Sequence, residues 1–202
     1  MKVFIVQGNA SYHELFTEHG YKVVKELSNA DLVCFTGGAD VTPSMYGDKQ
    51  HPQTGNNPAR DRAEAVIFDH CIKNNIPMVG ICRGAQFLNV MSGGRMYQHV
   101  TKHAISGEHE VVDLVTGETI YVTSTHHQMM MPSPQASILA TAHLGGEREW
   151  YDNEVFQRDV STEDIEVVHY MHTSCLCFQP HPEFKPNSRM ASWFFELIAK
   201  HL

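Results

Sequence analysis

The sequence predicts an α/β protein: a doubly wound, mostly parallel sheet with helices on both faces, and a second half rich in strands. Three observations lead to this prediction. Short apolar runs alternate with helical patterns through the first half, which is the β-α-β-α order that parallel sheets require. Strand patterns then follow one another closely in the second half. A clear amphipathic helical stripe comes last.

In the first half, three apolar runs are typical of buried parallel strands: residues 3–6, 31–35 and 76–81. A short helix is predicted around residues 13–18, between the first two runs. A longer helix is predicted over residues 60–74, because its apolar residues fall on one face. Asp61 is expected to cap its start, with Glu64 three residues further on completing a capping box.

A third helix is predicted from Arg83 to about Met91, and Gly93-Gly94 is expected to end it. Four strand patterns then follow: residues 119–123, 137–141, 165–170 and 175–178. The last two of these are close enough to predict a hairpin. The final helix places apolar residues at i, i+3, i+4, i+7 and i+8: Met190, Trp193, Phe194, Leu197 and Ile198.

Three segments carry no clear periodicity. Residues 42–60 and 143–160 are expected to be long loops. The segment that contains His103 and His109 is interpreted as a solvated loop. Cys175 and Cys177, by contrast, share one face of a predicted strand, and we expect both thiols to pack under the sheet.

Length and composition bound the class of protein. A chain of 202 residues suits one domain, predicted here over residues 1–202. Its formal net charge of −8 argues against a nucleic-acid or acidic-membrane partner. No stretch is long enough to span a bilayer, and the apolar start is too short for a signal peptide. Five cysteines without disulfide spacing predict free thiols and a cytoplasmic protein.

The segment VGICRGAQ, residues 79–86, places Cys82 between Gly80 and Gly84, after a strand and before a helix. This is the pattern of a nucleophile elbow, in which glycines leave room for a strained turn. The N-terminus of the following helix would favour the thiolate form of Cys82. Small residues also occur at ordinary strand–helix junctions, so these residues by themselves leave both interpretations open.

The segment FQPHPEF, residues 178–184, supplies the best candidate for a base. His181 and Glu183 are two apart in an extended segment and so point to the same side. Glu183 could then orient the imidazole while its other nitrogen faces Cys82, as in a catalytic triad. The alternative is a proline-rich loop in which the two residues are incidental.

Two further segments are candidates for substrate contact. In FTGGADVTPSMYG, residues 35–47, two glycines after a strand could present a backbone N–H to an oxyanion, together with the N–H that follows the nucleophile. A plain glycine turn is the alternative. The segment STHHQ, residues 124–128, also follows a strand, where a loop could reach the site. His126 and His127 are not expected to form a metal site, because adjacent strand residues point apart and no further ligand lies at suitable spacing.

Together these segments resemble the class I glutamine amidotransferase superfamily, and most closely its γ-glutamyl hydrolase branch, which includes the γ-glutamyl-γ-aminobutyrate hydrolases. The motifs occur in family order: GGADVTPSMYG, RDRAEAVIFDHCIKNNIPMVGICRGAQFLNVMSGG, STHHQ and FQPHPEF. The resemblance implies a flavodoxin-like sheet and a thiolester mechanism that needs no metal or organic cofactor. It implies a triad and a set of oxyanion or substrate contacts: Cys82, His181 and Glu183, then Gly38, Arg83, Gln86, His127 and Gln128.

Within that superfamily, Ala39 after the glycine pair and Arg83 after the cysteine follow the hydrolase pattern, whereas many ammonia donors have other residues at both places. We therefore expect a hydrolase that cleaves the γ-amide of glutamine or of a small γ-glutamyl amine. One alternative is a glutaminase subunit that delivers ammonia to a separate synthetase. A second is a non-catalytic relative that senses redox state or binds a ligand through the thiol.

Overall fold

Fourteen strands, four α-helices and four short 3₁₀ helices make up the fold, and a computed structural model describes all residues from 1 to 202. The strands are β1 (Lys2–Val6), β2 (Lys22–Val24), β3 (Leu32–Phe35), β4 (Met78–Ile81), β5 (Arg95–Tyr97), β6 (His99–Val100), β7 (Ala104–Asp113), β8 (Thr119–Thr125), β9 (Met129–Met131), β10 (Ser137–Ala142), β11 (Glu147–Asp152), β12 (Val155–Val160), β13 (Asp164–Tyr170) and β14 (Cys175–Phe178). The α-helices are α1 (Ala10–Glu18), α2 (Pro58–Asn74), α3 (Arg83–Met91) and α4 (Arg189–His201).

The central sheet has nine strands in the order β2-β1-β3-β4-β14-β13-β10-β7-β8. Neighbours from β2 to β14 are parallel, and neighbours from β14 to β8 are antiparallel. The predicted α/β class and the hairpin of β13 and β14 are confirmed. The sheet is more evenly mixed than the sequence predicted, because the strands of the second half extend the same sheet. Its topology places β14, which leads to His181, beside β4, which leads to Cys82.

Helices cover both faces of this sheet, as predicted. Along β3, Leu32 and Cys34 face one apolar core while Val33 and Phe35 face the other. Helices α1 and α4 pack on the first face, and α4 buries the apolar stripe that the sequence predicts: Met190, Trp193, Phe194, Leu197 and Ile198. Helices α2 and α3 pack on the second face. None of the helices combines the length and apolar character needed to cross a membrane.

Two segments predicted as loops contain β-strands instead. Residues 147–160 form the hairpin of β11 and β12, which polar cross-strand pairs such as Arg148 with Asp159 hold together. Because neither face is apolar, the hairpin has no hydrophobic alternation to reveal it. His103 immediately precedes β7 and His109 lies in the middle of it; both are buried rather than solvated, since both rings meet Glu166 of β13.

Helix α2 starts earlier and is capped differently from the prediction. Asn57 is its N-cap and accepts a hydrogen bond from the Arg60 N–H, and Pro58 occupies the first helical position, where no N–H is needed. Asp61 and Glu64 do not form a capping box. Both carboxylates are buried, and both bind the guanidinium of Arg83.

The five cysteines are free and buried, which confirms the prediction of free thiols. Four of them pack in the interior of the sheet or of α2: Cys34, Cys71, Cys175 and Cys177. Only Cys82 lies outside the regular elements, at the junction between β4 and α3.

The β4–α3 junction shows why its two glycines are required. A Cβ on Gly80 would overlap the backbone of Gly84 and Ala85, at the start of α3. A Cβ on Gly84 would overlap the carbonyl of Phe35 in the neighbouring strand β3. Helix α3 therefore starts in direct contact with the sheet, at a distance that only glycine permits.

We expect Gly84→Ala to destabilise the fold by at least about 2–3 kcal/mol, because the added methyl meets backbone rather than a side chain that can move. Urea unfolding followed by circular dichroism measures this change. Gly107→Ala is the matched control, since a Cβ there has open space, and it should stay within about 0.5 kcal/mol of the parent. Equal stability of the two variants would contradict the tight junction.

Candidate active site

Cys82 occupies a strained turn between β4 and α3. Its φ is +52°, a value rare for a residue with a side chain, and its ψ is −110°. The Cys82 N–H donates to the carbonyl of Phe178 at the end of β14, at 2.9 Å, which ties the turn to the strand that leads to His181. Cys82 is largely buried in this turn, with 9% of the residue exposed. This is the geometry of a nucleophile elbow.

His181 and Glu183 lie beside this thiol on the turn after β14. The Nδ1–H of His181 donates to Glu183 Oε1 at 2.6 Å, so the acid fixes one side of the imidazole. The ring stacks on Phe184 with centroids 4.4 Å apart and planes 2° from parallel. Thr123 of β8 holds the backbone, because its hydroxyl accepts the His181 N–H at 2.9 Å. The ring is therefore fixed from three sides.

The electrostatics of this group favour a protonated imidazole. Burial lowers the pKa of His181, but hydrogen bonding and charge from Cys82 and from Glu183 outweigh burial and raise the pKa to about 10. A histidine held in this way stabilises a neighbouring thiolate and carries a proton that it can donate.

The loop after β3 approaches the same thiol. A Cβ on Gly37 would come within 3.1 Å of His181 Cε1 and 3.8 Å of Cys82 Cβ, so the bare backbone of this residue lies against both side chains. The Gly37 N–H is occupied, because it donates to the Tyr12 hydroxyl at 3.0 Å. The Gly38 N–H has no hydrogen-bond acceptor within the chain. Gly38 has φ +148°, which glycine alone adopts readily.

Arg60 holds this loop from behind. Its guanidinium donates to the carbonyls of Gly37 and Thr36, each at 2.9 Å, and its Nε donates to Glu64 at 2.7 Å. A Cβ on Gly38 would overlap the same guanidinium. The loop is thus held against α2 with its remaining N–H free.

The main chain and the side chain of Arg83 have different surroundings. As the first residue of α3, directly after the Cys82 turn, Arg83 has an N–H without an acceptor in the helix. Its side chain is fully buried and binds Asp61 and Glu64 of α2. Glu64 therefore binds Arg60 and Arg83 at once.

The other residues implied by the family resemblance lie in a polar network behind the site. Gln86 is buried in α3 and donates to the Gln128 carbonyl at 3.1 Å and to Gln179 Oε1 at 3.2 Å. The Gln128 amide is also buried and donates to Thr54 and to the Gln98 carbonyl, each at 3.0 Å. These bonds connect the elbow helix to the loop at residues 50–54.

His127 is half-buried, with 36% of its side chain exposed. Its Nε2 lies 3.2 Å from Asp40 Oδ2, and the hydrogen bond to that carboxylate raises the pKa of His127. Its neighbour His126 points the other way and is buried, as the strand alternation predicts. The residues around Cys82 include no group of side chains at metal-ligand distance of one another; that property belongs to His103, His126 and Glu166.

The structure places Cys82, His181 and Glu183 beside one another. The sequence pattern does not reveal the residues that hold them. Arg60, Asp61 and Glu64 have the pattern of a simple helix start. The signal that could have identified them is the concentration of charge in RDRAE on a helix that must pack on a sheet, because buried charges occur mainly as pairs. Tyr12 and Thr123 carry no comparable signal.

The arrangement has the parts of an acyl-transfer site: a thiol in a strained turn, an imidazole oriented by a carboxylate, and two backbone N–H groups without acceptors. Comparison with known proteins agrees with this class. The model of the Peptidase C26 family matches residues 15–183. A protein of Lactococcus lactis named as glutamine amidotransferase-like, YvdE, is 31% identical over 163 residues, which cover 66% of this chain and 69% of that protein.

Two more distant similarities extend the comparison. The carbamoyl phosphate synthase small chain of Helicobacter hepaticus is 31% identical over 129 residues, covering 64% of this chain but only 30% of that protein. The solved structure of PurLQS from Thermotoga maritima superposes with a TM-score of 0.66 at 16% identity, over 98% of this chain and 97% of that one, and shows a shared fold. The chain therefore belongs to the Peptidase C26 family, a class I glutamine amidotransferase-like family.

Proposed function

We propose that the chain hydrolyses the γ-amide bond of glutamine or of a small γ-glutamyl amine through a glutamyl thiolester on Cys82. The observation that carries this proposal is the strained turn at Cys82, with φ +52°, against an imidazole that Glu183 orients at 2.6 Å. A structural cysteine would need neither the strain nor the oriented base. A thiol that only senses redox state would not need the His181–Glu183 pair.

The reaction follows from the positions of these groups. The Cys82 thiolate attacks the γ-carbonyl carbon, and the N–H groups of Gly38 and Arg83 stabilise the oxyanion. The C–N bond then breaks while the His181 imidazolium donates its proton to the departing amine. Neutral His181 next takes a proton from water, the hydroxide attacks the thiolester, the C–S bond breaks, and glutamate leaves with the thiolate and imidazolium restored.

The glutamyl end is proposed to lie toward His127 and Asp40. A free glutamyl group carries an α-carboxylate and an α-ammonium, and this pair of side chains offers the complementary charges. The hydrogen bond that His127 donates to the Asp40 carboxylate raises the pKa of His127 and so favours its cationic form. Gln86 and Gln128 are proposed to support this pocket from behind, since their amides are buried in the network described above.

A second function is delivery of ammonia to a synthetase. It is favoured by the name of one relative and by exposed apolar side chains on β12. The relative from Helicobacter hepaticus is named as the small chain of carbamoyl phosphate synthase. On this chain, one face of β12 presents Phe156 and Val160, with 48% and 63% of their surfaces exposed. Exposed apolar side chains of this kind are suited to a protein partner. This function needs a separate synthetase.

We expect His181→Ala to lower kcat for γ-glutamyl amide hydrolysis by about 10⁵-fold or more, because both the acid and the base are lost. Glu183→Gln should be roughly tenfold to hundredfold less severe, because the imidazole remains but is poorly oriented. Release of free glutamate under saturating substrate measures both. His172→Ala, at an exposed position outside the site, should leave kcat unchanged. Full activity of His181→Ala would exclude the triad.

The pH profile should show the raised pKa of His181. Because this group must be protonated to assist the leaving amine, kcat/KM should persist through mildly alkaline pH and fall with an apparent pKa near 10, rather than near the ordinary histidine value. Glu183→Gln removes one of the two groups that raise this pKa, so the alkaline limb should move to lower pH. Glu14→Gln, on the exposed face of α1, should leave the limb in place. If the alkaline limb stays in place in Glu183→Gln, the assignment of its pKa to His181 is contradicted.

The purified chain alone should release glutamate from a panel of γ-glutamyl amines with kcat on the order of 1–10 s⁻¹ and should prefer the best of them to glutamine. The reason is that Ala39 and Arg83 follow the hydrolase pattern. The Cys82→Ser variant is the control for glutamate release that does not depend on the thiol. If the chain is inert on every γ-glutamyl amine and acts on glutamine only after a second protein is added, the hydrolase proposal fails and the ammonia-donor function replaces it.

A further inference from the structure

A buried group of histidines and carboxylates lies in the antiparallel half of the sheet, away from Cys82. It consists of His103, His109, His126 and Glu166, with Asp164 at its edge, and is called the β7–β8–β13 cluster below. His103 precedes β7, His126 follows β8, and Glu166 lies on β13. All five residues are buried, with His103 and Glu166 completely so. The mechanism proposed above uses none of them.

Hydrogen bonds within the chain do not satisfy this cluster. His103 Nδ1 lies 3.5 Å and His126 Nε2 3.8 Å from Glu166 Oε1, both beyond normal hydrogen-bond length. Five buried polar atoms have no hydrogen-bond partner: His103 Nδ1, His103 Nε2, His109 Nδ1, His126 Nε2 and Glu166 Oε2. Native proteins rarely leave so many buried polar atoms unpaired at one place, and such a concentration is typical of a site that binds water or an ion.

We propose that the β7–β8–β13 cluster binds one divalent metal ion of the zinc class, with His103, His126 and Glu166 as protein ligands. One ligand atom from each of the three lies within 4.8 Å of the other two. Nitrogen and oxygen ligands at about 2.0–2.1 Å from zinc stand roughly 3.3 Å apart in a tetrahedron. The observed separations of 3.5 and 3.8 Å are close to that value.

The surrounding contacts orient both imidazoles for this role. The Nδ1–H of His126 donates to the Gln128 carbonyl at 2.8 Å, which leaves the Nε2 lone pair directed toward Glu166. His103 Nε2 faces Asp164 Oδ2 at 3.4 Å, which is too long for a hydrogen bond but places a carboxylate beside this nitrogen, and Nδ1 faces Glu166. His109 Nε2 contacts Glu166 Oε1 at 3.0 Å and holds the carboxylate. A histidine that binds metal through one nitrogen and a carbonyl or carboxylate through the other is the usual arrangement in metal sites.

The charges also suit a divalent cation. Glu166 and Asp164 bring two carboxylates into a region without Lys or Arg in contact, so an ion of charge +2 would balance them. The chemistry of two imidazoles and one carboxylate matches zinc and its neighbours rather than calcium or magnesium, which prefer oxygen ligands. The ion would join β7, β8 and β13 at one point and act as a structural site.

Metal content and affinity of the full chain, prepared without a histidine tag, test this proposal. We expect elemental analysis of protein produced with added zinc to give close to one equivalent per chain. Chelator-stripped protein should take up one equivalent of Zn²⁺ in competition with a chromophoric chelator. Co²⁺ in the same site should give the visible absorption of a low-coordinate nitrogen and oxygen environment. Each measurement is independent of catalysis.

Variants identify the site. His126→Asn should abolish stoichiometric binding, and Asp164→Asn should weaken affinity by about 10–100-fold, as expected for a group that orients a ligand. His169→Asn removes a buried histidine outside the cluster and should bind as the parent does. Cys82→Ser should also bind one equivalent, which separates this site from the thiol and from the proposed hydrolysis.

The parent protein alone can overturn the proposal. If stripped protein binds well under one equivalent of both Zn²⁺ and Co²⁺ while its circular dichroism is that of a folded chain, there is no metal site. Stoichiometric binding that His126→Asn leaves intact would place the ion elsewhere. Should His126→Asn fail to fold, X-ray absorption of the zinc-loaded parent decides: a number of imidazole ligands other than two, or a sulfur ligand, would contradict the ligand set.

Discussion

The buried guanidinium of Arg83 between Asp61 and Glu64 is the contact on which the candidate active site depends. Helix α3 can start against the sheet only if the side chain of its first residue finds space and charge partners in the interior, and α2 supplies both. Separating such a pair leaves an uncompensated buried charge, which costs about 3–5 kcal/mol. The pair therefore fixes the orientation of α3 relative to α2 and, with it, the direction of the Arg83 N–H.

Through Glu64, helix α2 also holds the loop after β3, which approaches the Cys82 thiol. Arg60 shares this carboxylate and holds the carbonyls of Thr36 and Gly37, so the loop that presents Gly38 is held by the same group that holds Arg83. One carboxylate on α2 thus connects both backbone N–H groups proposed for the oxyanion. Preorganised donors of this kind contribute most when they do not need to move during the reaction.

Local features of the fold and site could be predicted from the sequence, whereas features made by distant contacts could not. The turn at Cys82 is specified by its own two glycines, and α4 by its own apolar stripe, so both were predicted. The sequence near Asp61 indicates a helix cap, because the charge that Asp61 binds lies 22 residues away. The sequence near His109 indicates a solvated loop, because its partner Glu166 is 57 residues away on another strand. The hairpin of β11 and β12 has no sequence signal, because its polar pairs lack an apolar period.

The contacts at Gly80 and Gly84 have a consequence for how this junction can change over evolution. In both cases the atoms that an added Cβ would meet belong to the main chain: the start of α3 for Gly80 and the Phe35 carbonyl for Gly84. A clash with main-chain atoms cannot be relieved by a smaller side chain at another position. A second substitution elsewhere therefore cannot compensate for the loss of either glycine. Neither glycine can be replaced during evolution unless the whole of α3 moves away from the sheet. Descendants of this chain could lose the thiol and keep the fold, but they would still carry the two glycines around the vacant position.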